Sequence, residues 1–588
     1  MRNGFDLTLV AHLWASKVKF QSKTKFMRKL LSMLALGSMA IAFVACEDDV
    51  VPDTPTITSP SITNVQVENE ADITFNVTVP GGYKTVAVSG SGGAVTKKSE
   101  PALGSVSGTV VVTFLADATA GAGSATITVT DNNNKIATQT GVVNKTAEPQ
   151  KPVVEVFASE SGVGTTTWTS GNIYVLRGFI FVNDGQTLTI EPGTVIKGQP
   201  GDGAGASALI VSRGGIIDAE GESDNPIIFT ALADDTDDPE DLPLNTRGQW
   251  GGLILLGKAP INHSAGETVI EGLPETDDRG VYGNGTPNDF TTGVDDNSGV
   301  VSYISLRHGG TEIGAGNEIN GLTMGGVGRG TTIHHIEVWG NDDDGFEWFG
   351  GTVNTSYLAS MYNQDDAFDW DFGWRGQNQF WLAYQQPDFA GSDRGMELDG
   401  AHSGNLSATV FSEPTVFNMT LVGALNTGSG ANCIYMTEGS GGYIRNSIVT
   451  NFRAGINLVT TGDSGNKILD RLNAGKLDFD NNIFFSIGAF TTVAEVASGT
   501  SDAPTRAALE TNLAAGNNTF ADPQLAGIAE GSFDPLPAAA GPAFEDLFTV
   551  PAAPVDGFTY ETVTHKGAFG ATNWLLGWTA AFEYGVAE

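Results

Sequence analysis

From about residue 165 onward, short apolar runs alternate with clusters of Gly, Asn and Asp. The runs read LTIEPGTVIKG, ALIVSRGGIIDAEG, PIIFTA, GGLILLG, GVVSYISLRHGG and TTIHHIEVWGN, then TVNTSYLASMYN, TVFNMTLVGAL and GYIRNSIVTNF. Units of about 20–40 residues, each with two or three strand-like runs, are the signature of a solenoid. The pattern predicts an all-β parallel β-helix over 165–588, with inward side chains of successive coils stacked into one long core. No blade-type motif recurs at a constant period, which argues against a propeller. The last apolar stretch, KGAFGATNWLLGWT with Trp574 and Trp578, is expected to cap the open end of the solenoid.

Residues 61–146 carry a different pattern. ITNVQVE, ADITFNVTV, KTVAVSG, GTVVVTFLA and SATITVTD alternate apolar and polar positions between Gly, Pro and Asn clusters. This predicts a small antiparallel sandwich of immunoglobulin type, serving as a spacer. Residues 147–164 read as a linker, and 46–60, rich in Pro, Thr, Ser and Asp, as a tether. Met27 opens MRKLLSMLALGSMAIAFVAC: two basic residues, an apolar run from Leu30 to Val44, then small residues before Cys46. That is the layout of a secretory signal over 27–45, too short to span a bilayer comfortably. Phe43-Val44-Ala45-Cys46 resembles a lipobox, which implies lipidation of Cys46. Residues 1–26 have no place in this layout and read as an early-called start. Glu47-Asp48-Asp49 resembles the acidic tag that sends Bacteroidota lipoproteins to the outer face of the outer membrane.

Composition narrows the function classes. Gly reaches 76 while Lys and Arg together number 30, and only 17% of residues are charged, so long solvated helices are not expected. A net charge of −38 argues against nucleic acid, which needs clustered cations, and is compatible with divalent cations. With Cys46 and Cys433 the only cysteines, a lipidated Cys46 leaves no partner for an intrachain disulfide and no multi-cysteine zinc site.

Candidate chemistry concentrates in five segments that align by hand: DGFEWFGG (344–351), DAFDWDFG (366–373), RGMELDGA (394–401), NCIYMTEG (432–439) and AGINLVTT (454–461). Strand alternation turns Phe346/Trp348, Phe368/Trp370, Met396/Leu398, Ile434/Met436 and Ile456/Leu458 inward. Glu347, Asp369, Glu397, Tyr435 and Asn457 then stand outward. A second outward column holds Asp344, Asp366, Arg394 and Asn432, and Asp371 with Asp399 begins a third. Coils stack about 4.8 Å apart, where like charges repel by roughly 1 kcal/mol in water and more at lower dielectric. A face bearing Asp342, Asp343, Asp344, Glu347, Asp365, Asp366, Asp369, Asp371, Glu397 and Asp399 therefore calls for raised pKa values, for pairing with Arg375 and Arg394, or for bound Ca²⁺. Trp339, Trp348, Trp370, Trp374 and Trp381 crowd the same stretch. Trp348, Trp374, Arg375, Arg394 and Tyr435 are the expected ligand-binding side chains. Asp342, Asp343, Glu347, Asp369, Asp371, Glu397 and Asp399 are the expected metal ligands.

Two resemblances bear on this stretch. IEPGTVIKG, RGQWGGLILLGKAPIN, RHGGTEIGAGNEINGLT and DDGFEWFGGTVN resemble a group of exported bacterial lipoproteins with a right-handed parallel β-helix of the pectin-lyase-like group, which implies fold and location but no reaction. Asp343-Asp344-Gly345-Phe346-Glu347 and Asn363-Gln364-Asp365-Asp366 resemble the acidic segments of polygalacturonase-type glycoside hydrolases. This implies Asp344, Asp365 and Asp366 as general acid and water-activating base, since glycoside hydrolysis needs two carboxyls flanking the bond. That family's histidine is replaced at Asp393-Arg394-Gly395, and its later basic segment has no counterpart at Asn432 to Met436. The reading favoured overall is a surface-exposed outer-membrane lipoprotein whose acidic, Trp-rich face binds a glycan or other polymer with calcium, beside a possible outer-membrane transporter. The alternatives are a polysaccharide-degrading hydrolase and a non-catalytic structural envelope protein. His334-His335 sits in a strand, so one imidazole is expected to point inward and the other outward; the outward one, His308 and His402 read as surface residues, and 234–241 as a solvated acidic loop.

Overall fold

The computed structural model describes residues 53–587, apart from 148, 275, 314–317, 388–391, 402–406, 425–431, 461–466 and 486–490. The expected leader, Cys46, the acidic tag and His402 lie outside the described residues. No described helix is long and apolar enough to cross a membrane. The chain divides into two compact units, Met1–Pro149 and Gln150–Glu588.

In the first unit, alternation produces two four-stranded sheets around a shared core. Ile73, Phe75 and Val77 from Glu70–Thr78 meet Val110, Val112 and Phe114 from Ser107–Ala116, and Ile127 and Val129 from Gly121–Asp131. Their intervening polar neighbours face outward.

The second unit is a parallel solenoid of two long sheets, one of 17 strands and one of nine. Its first strand, Val153–Phe157, pairs in parallel with Ile173–Arg177. The stretch 147–164, expected as a linker, thus already contributes to the sheet, because VVEVF supplies edge hydrogen bonds whatever its exposure. Inward residues stack coil on coil: Val182, Val211, Leu255, Met324, Trp348, Trp370 and Leu398 occupy one column of the nine-stranded sheet. The tryptophans fill the middle of this column, with Trp348 stacked on Trp374 at 4.5 Å and on Trp381 at 4.9 Å.

The wide sheet bends at a repeated corner where Tyr303, His335, Tyr357 and Phe380, then Asn418, Asn446 and Asn481, all adopt positive φ. Bulky residues rarely tolerate that region. Here the rings form a continuous stack, Tyr303–His335 at 4.3 Å, His335–Tyr357 at 4.2 Å and Tyr357–Phe380 at 4.7 Å.

The C-terminal segment does not cap the end. It runs back along this corner: Asn446 donates to the Phe548 carbonyl at 2.8 Å, Asn418 to His565 at 2.7 Å, and Trp574 packs edge-on against His335 and Tyr357. Its end is pinned by Glu337, fully buried, which accepts from Ser305 Oγ and the backbone N–H groups of Ala580 and Ala581. The apolar character of KGAFGATNWLLGWT is spent on the exposed aromatic corner, a larger surface than the solenoid end. That end is closed instead by helices Lys467–Asn473, Val493–Val496 and Ala503–Ala515, whose Ile468, Leu472, Val496, Leu509 and Leu513 join the solenoid core.

Between strands Leu253–Leu256 and Gly299–Arg307 the chain leaves the coil. This insertion lays Ile261, Ile270, Leu273 and Tyr282 over Phe181, Ile210 and Ile254 on the outer face of the nine-stranded sheet. Through Glu271 it forms part of the wall of the acidic cavity described below.

Candidate acidic site

Strands Leu322–Gly325, Phe346–Phe349, Phe368–Asp371, Met396–Asp399, Asn432–Thr437 and Ala454–Leu458 lie side by side in the nine-stranded sheet. Their register aligns Thr323, Glu347, Asp369, Glu397, Tyr435 and Asn457 in one outward column. At the entrances to Phe346–Phe349 and Phe368–Asp371 a carboxylate ties one coil to the next. Asp344 Oδ1 accepts the Asp366 backbone N–H at 2.9 Å, and Asp366 Oδ1 accepts that of Arg394 at 2.6 Å.

The column and the strand entrances share a cavity of about 540 Å³, lined by nine carboxylates and Asn320. Two overlapping triads lie wholly in its lining, Asp343/Asp344/Asp365 and Asp344/Glu347/Asp369, and a third, Asp365/Asp366/Asp393, shares two members with it. Within each, one oxygen per residue lies within 4.8 Å of the others. Asp344, Glu347 and Asp366 are buried, Asp369 and Glu397 half-buried, and Asp365 stands at the exposed rim. Burial, reinforced by neighbouring carboxylates, pushes Asp343 up to about 8 and the rim residue Asp365 to about 7. The same causes hold Asp344, Glu347, Asp366 and Asp369 well above the usual carboxylate range.

Glu271, Glu318 and Asn320 belong to the site and were not legible in the alternation, because they lie in inter-coil segments with no periodicity. Asn320 is 1% exposed and donates from Nδ2 to Glu347 and, at 3.2 Å, to Glu271. Its Oδ1 is buried without a hydrogen-bond partner, as is Asp369 Oδ1. Buried orphans of this kind are rare and call for an absent partner. A hard cation fits: the donors are all oxygens, several are charged, and two point to no protein donor.

The expected cationic and aromatic partners are placed differently. Trp348 and Trp374 are fully buried and offer nothing to a ligand. Trp348 alternates with Glu347 and must face the core. Trp374 follows Gly373, whose φ of +82° turns the chain so that the indole drops against Trp348. The face is acidic but not Trp-rich. Arg394 is occupied by Asp366 at 3.1 Å, Asp393 at 3.2 Å and Glu397, with its guanidinium 4.3 Å above the Tyr435 ring. Arg375 lies outside the acidic cavity and lines another. Asp342, Asp371 and Asp399 also fall outside its lining. Burial raises Asp371 to about 7 and Asp399 to about 8, and the half-buried Asp342 is raised for the same reason, opposed by Arg247. His308 is buried rather than superficial, with Nδ1 2.9 Å from the Thr246 carbonyl.

Parallel coils stacked into two long sheets define a parallel β-helix protein, here with an acidic cavity on one sheet. The chain belongs to the pectate-lyase-like β-helix domain family, whose model matches residues 160–528. No curated protein matches the chain. Among solved structures, a Yersinia enterocolitica family 28 exopolygalacturonase is 8% identical, with 77% of this chain and 97% of that one covered and a TM-score of 0.17. A chimeric titin Z1Z2 carrying an exogenous decorin peptide is 19% identical, covering 16% of this chain and 98% of that one, with a TM-score of 0.14.

Proposed function

We propose that the chain is a calcium-dependent glycan-binding protein, held at the outer membrane through Cys46 and facing the cell exterior. The observation that carries this reading is the convergence of two carboxylate triads, Asp343/Asp344/Asp365 and Asp344/Glu347/Asp369, on one cavity lined also by Asn320, whose Oδ1 is orphaned. Ca²⁺ takes six to eight oxygen ligands in flexible geometry, which suits crowded carboxylates better than the octahedron Mg²⁺ demands. Asp343, Asp344, Glu347, Asp365 and Asp369 would hold the ion. When bound, it neutralises the cavity and offers open coordination positions to sugar hydroxyl or carboxylate oxygens.

A hydrolase reading draws on Asp344, Asp365 and Asp366 meeting in the same cavity. Asp366 is buried and committed to Arg394, with Oδ1 accepting its backbone N–H and Oδ2 paired with Nη1. The binding reading therefore stands ahead. Titration calorimetry with CaCl₂ and MgCl₂, followed by glycan retention on affinity gels with and without chelator, tests it. Calcium heat and chelator-sensitive retention are expected. Absence of both overturns the reading, and product release lost in Asp365→Asn/Asp366→Asn would install the hydrolase in its place.

A further inference from the structure

A separate cavity, of about 490 Å³, opens on the outer face of the wide sheet and shares none of its lining with the acidic site. Glu191, Asp218, Glu220, Glu222, Ser302 and His334 supply its polar side chains. Register explains the grouping. Glu220 pairs with Ser302 and Ser302 with His334, so these three form one outward column on successive coils, about 4.8 Å apart.

The column offers acceptors that the protein leaves unused. Ser302 is 4% exposed, yet its hydroxyl has no hydrogen-bond partner among the described residues. His334 Nδ1 lies 3.0 Å from Nδ1 of His335, whose ring is held between Tyr303 at 4.3 Å and Tyr357 at 4.2 Å. One imidazole therefore donates to the other, and with His334 as the donor its Nε2 is a free acceptor. Desolvation holds His334 below its usual range, opposed by Glu220, so at neutral pH it adds no positive charge. No lining residue is a cation, and none of the four carboxylates forms an ion pair among the described residues. Lys151 meets the adjoining turn at the Gly193 carbonyl, 3.5 Å away.

Acceptors without donors call for a cation that brings donors of its own. A bare ion does not suit the cavity. One ion needs ligand atoms within about 5 Å of one another, twice a Ca–O bond, and the described triads that close this far all lie elsewhere. A primary ammonium group carries three N–H donors, one each for the Glu220 carboxylate, the Ser302 hydroxyl and His334 Nε2. The exposed Glu191 and Glu222 on the same walls are left for a second positive charge. The volume falls within the usual range for small-molecule pockets. We propose that this cavity is a binding site for a small organic amine, with Glu220, Ser302 and His334 receiving one primary ammonium group and Glu191 and Glu222 a second. The site is independent of the calcium-dependent reading.

Calorimetry and saturation-transfer NMR on the full chain test it, with putrescine, 1,4-butanediol and tetramethylammonium as probes. The buffer contains CaCl₂ and about 0.15 M salt, which screens scattered surface charge. Putrescine is expected to bind at one saturable site. Butanediol lacks the charge and tetramethylammonium lacks the N–H donors, so each should bind about tenfold more weakly or worse. Glu220→Gln, at an exposed position, should weaken putrescine by about tenfold, and Ser302→Ala by about threefold. No saturable putrescine binding, equal binding of tetramethylammonium, or no change in either variant would each overturn the proposal. Putrescine binding seen only when calcium is left out would belong to the acidic site and equally overturn it.

Discussion

The outward column of the nine-stranded sheet begins as Phe181, Ile210 and Ile254 and, after Thr323, continues as Glu347, Asp369 and Glu397. Ile254 is 1% exposed and Glu347 8%, so burial hardly separates the two where the halves meet, although Asp369 and Glu397 further along are half-buried. Chemistry does. The lower half lies under the insertion, where Ile261, Ile270, Leu273 and Tyr282 complete an apolar core. The upper half faces a cavity whose other walls, Glu271, Glu318 and Asp343, are also acidic. A buried apolar column marks where the chain covers itself. An acidic column in which only Glu397 meets a cation, Arg394, is the place we propose for calcium.

Exchanging the chemistry of the halves should cost most in the covered one. Ile254→Asp places a carboxylate among Ile210, Ile261 and Leu256 with no partner, a change expected to destabilise the solenoid by about 3 kcal/mol or more. Urea denaturation read by circular dichroism checks it. A loss below about 1 kcal/mol would mean that the insertion lifts easily and that the apolar cover is loose.

The upper half should instead respond to pH and metal. Its carboxylates are raised in the folded chain, so in the metal-free protein this site contributes most to stability below the unfolded carboxylate range near pH 4. That contribution is lost as pH rises through about 7 and 8, where Asp365 and Asp343 ionise. A fixed calcium concentration, set at about a hundred times the Kd at pH 8, should restore about 2.7 kcal/mol there. The restored amount should grow from pH 5 to pH 8. Thermal scans with calcium and with chelator at each pH measure this, and a calcium effect that is flat or falls with pH would place the ion elsewhere.

Much of this contrast is legible in sequence, for a physical reason. Strand alternation has a period of two, so DGFEWFGG, DAFDWDFG and RGMELDGA place Glu347, Asp369 and Glu397 outward without knowledge of any other coil. The same alternation sends Trp348 inward, and expecting it to bind ligand set residue type above position. Trp374 was out of reach because its direction depends on the turn at Gly373. Glu271, Glu318 and Asn320 have no local signal, since Glu271 lies in the aperiodic insertion and Glu318 and Asn320 in the aperiodic segment before Leu322–Gly325. The C-terminal segment misled for a related reason: its apolarity was plain, but the aromatic corner that receives it exists only once Tyr303, His335, Tyr357 and Phe380 have stacked.

Neutralising one member of the acidic column tests whether repulsion is the cost the site carries. In Asp369→Asn the raised-pKa penalty disappears, so the metal-free protein should gain about 1 kcal/mol at pH 8 and little near pH 4. Its calcium affinity should fall about tenfold or more, because one charged ligand oxygen is replaced by a neutral one. Paired thermal scans and calorimetry on the variant read both. A variant destabilised at pH 8 without metal would show that Asp369 has a structural role and contributes no repulsion.

The smallest effect is expected where the acidic column ends. Tyr435 follows Glu397 in register, and its ring lies under the Arg394 guanidinium at 4.3 Å. That ring holds the cation which pairs with Asp366, Asp393 and Glu397, so it bounds the region of uncompensated charge. Tyr435→Leu keeps the apolar bulk and removes the π-face, a loss of about 0.5–1 kcal/mol at a partly exposed position. Tyr435→Phe keeps the face and should be nearly neutral. If the ring positions Arg394, calcium affinity will shift in the leucine variant and not in the phenylalanine variant, because a freed Arg394 can swing toward the carboxylates that would hold the ion. Equal affinities in both variants would mean that Asp366 and Glu397 alone fix the guanidinium, and that the acidic column ends at Glu397 rather than at Tyr435.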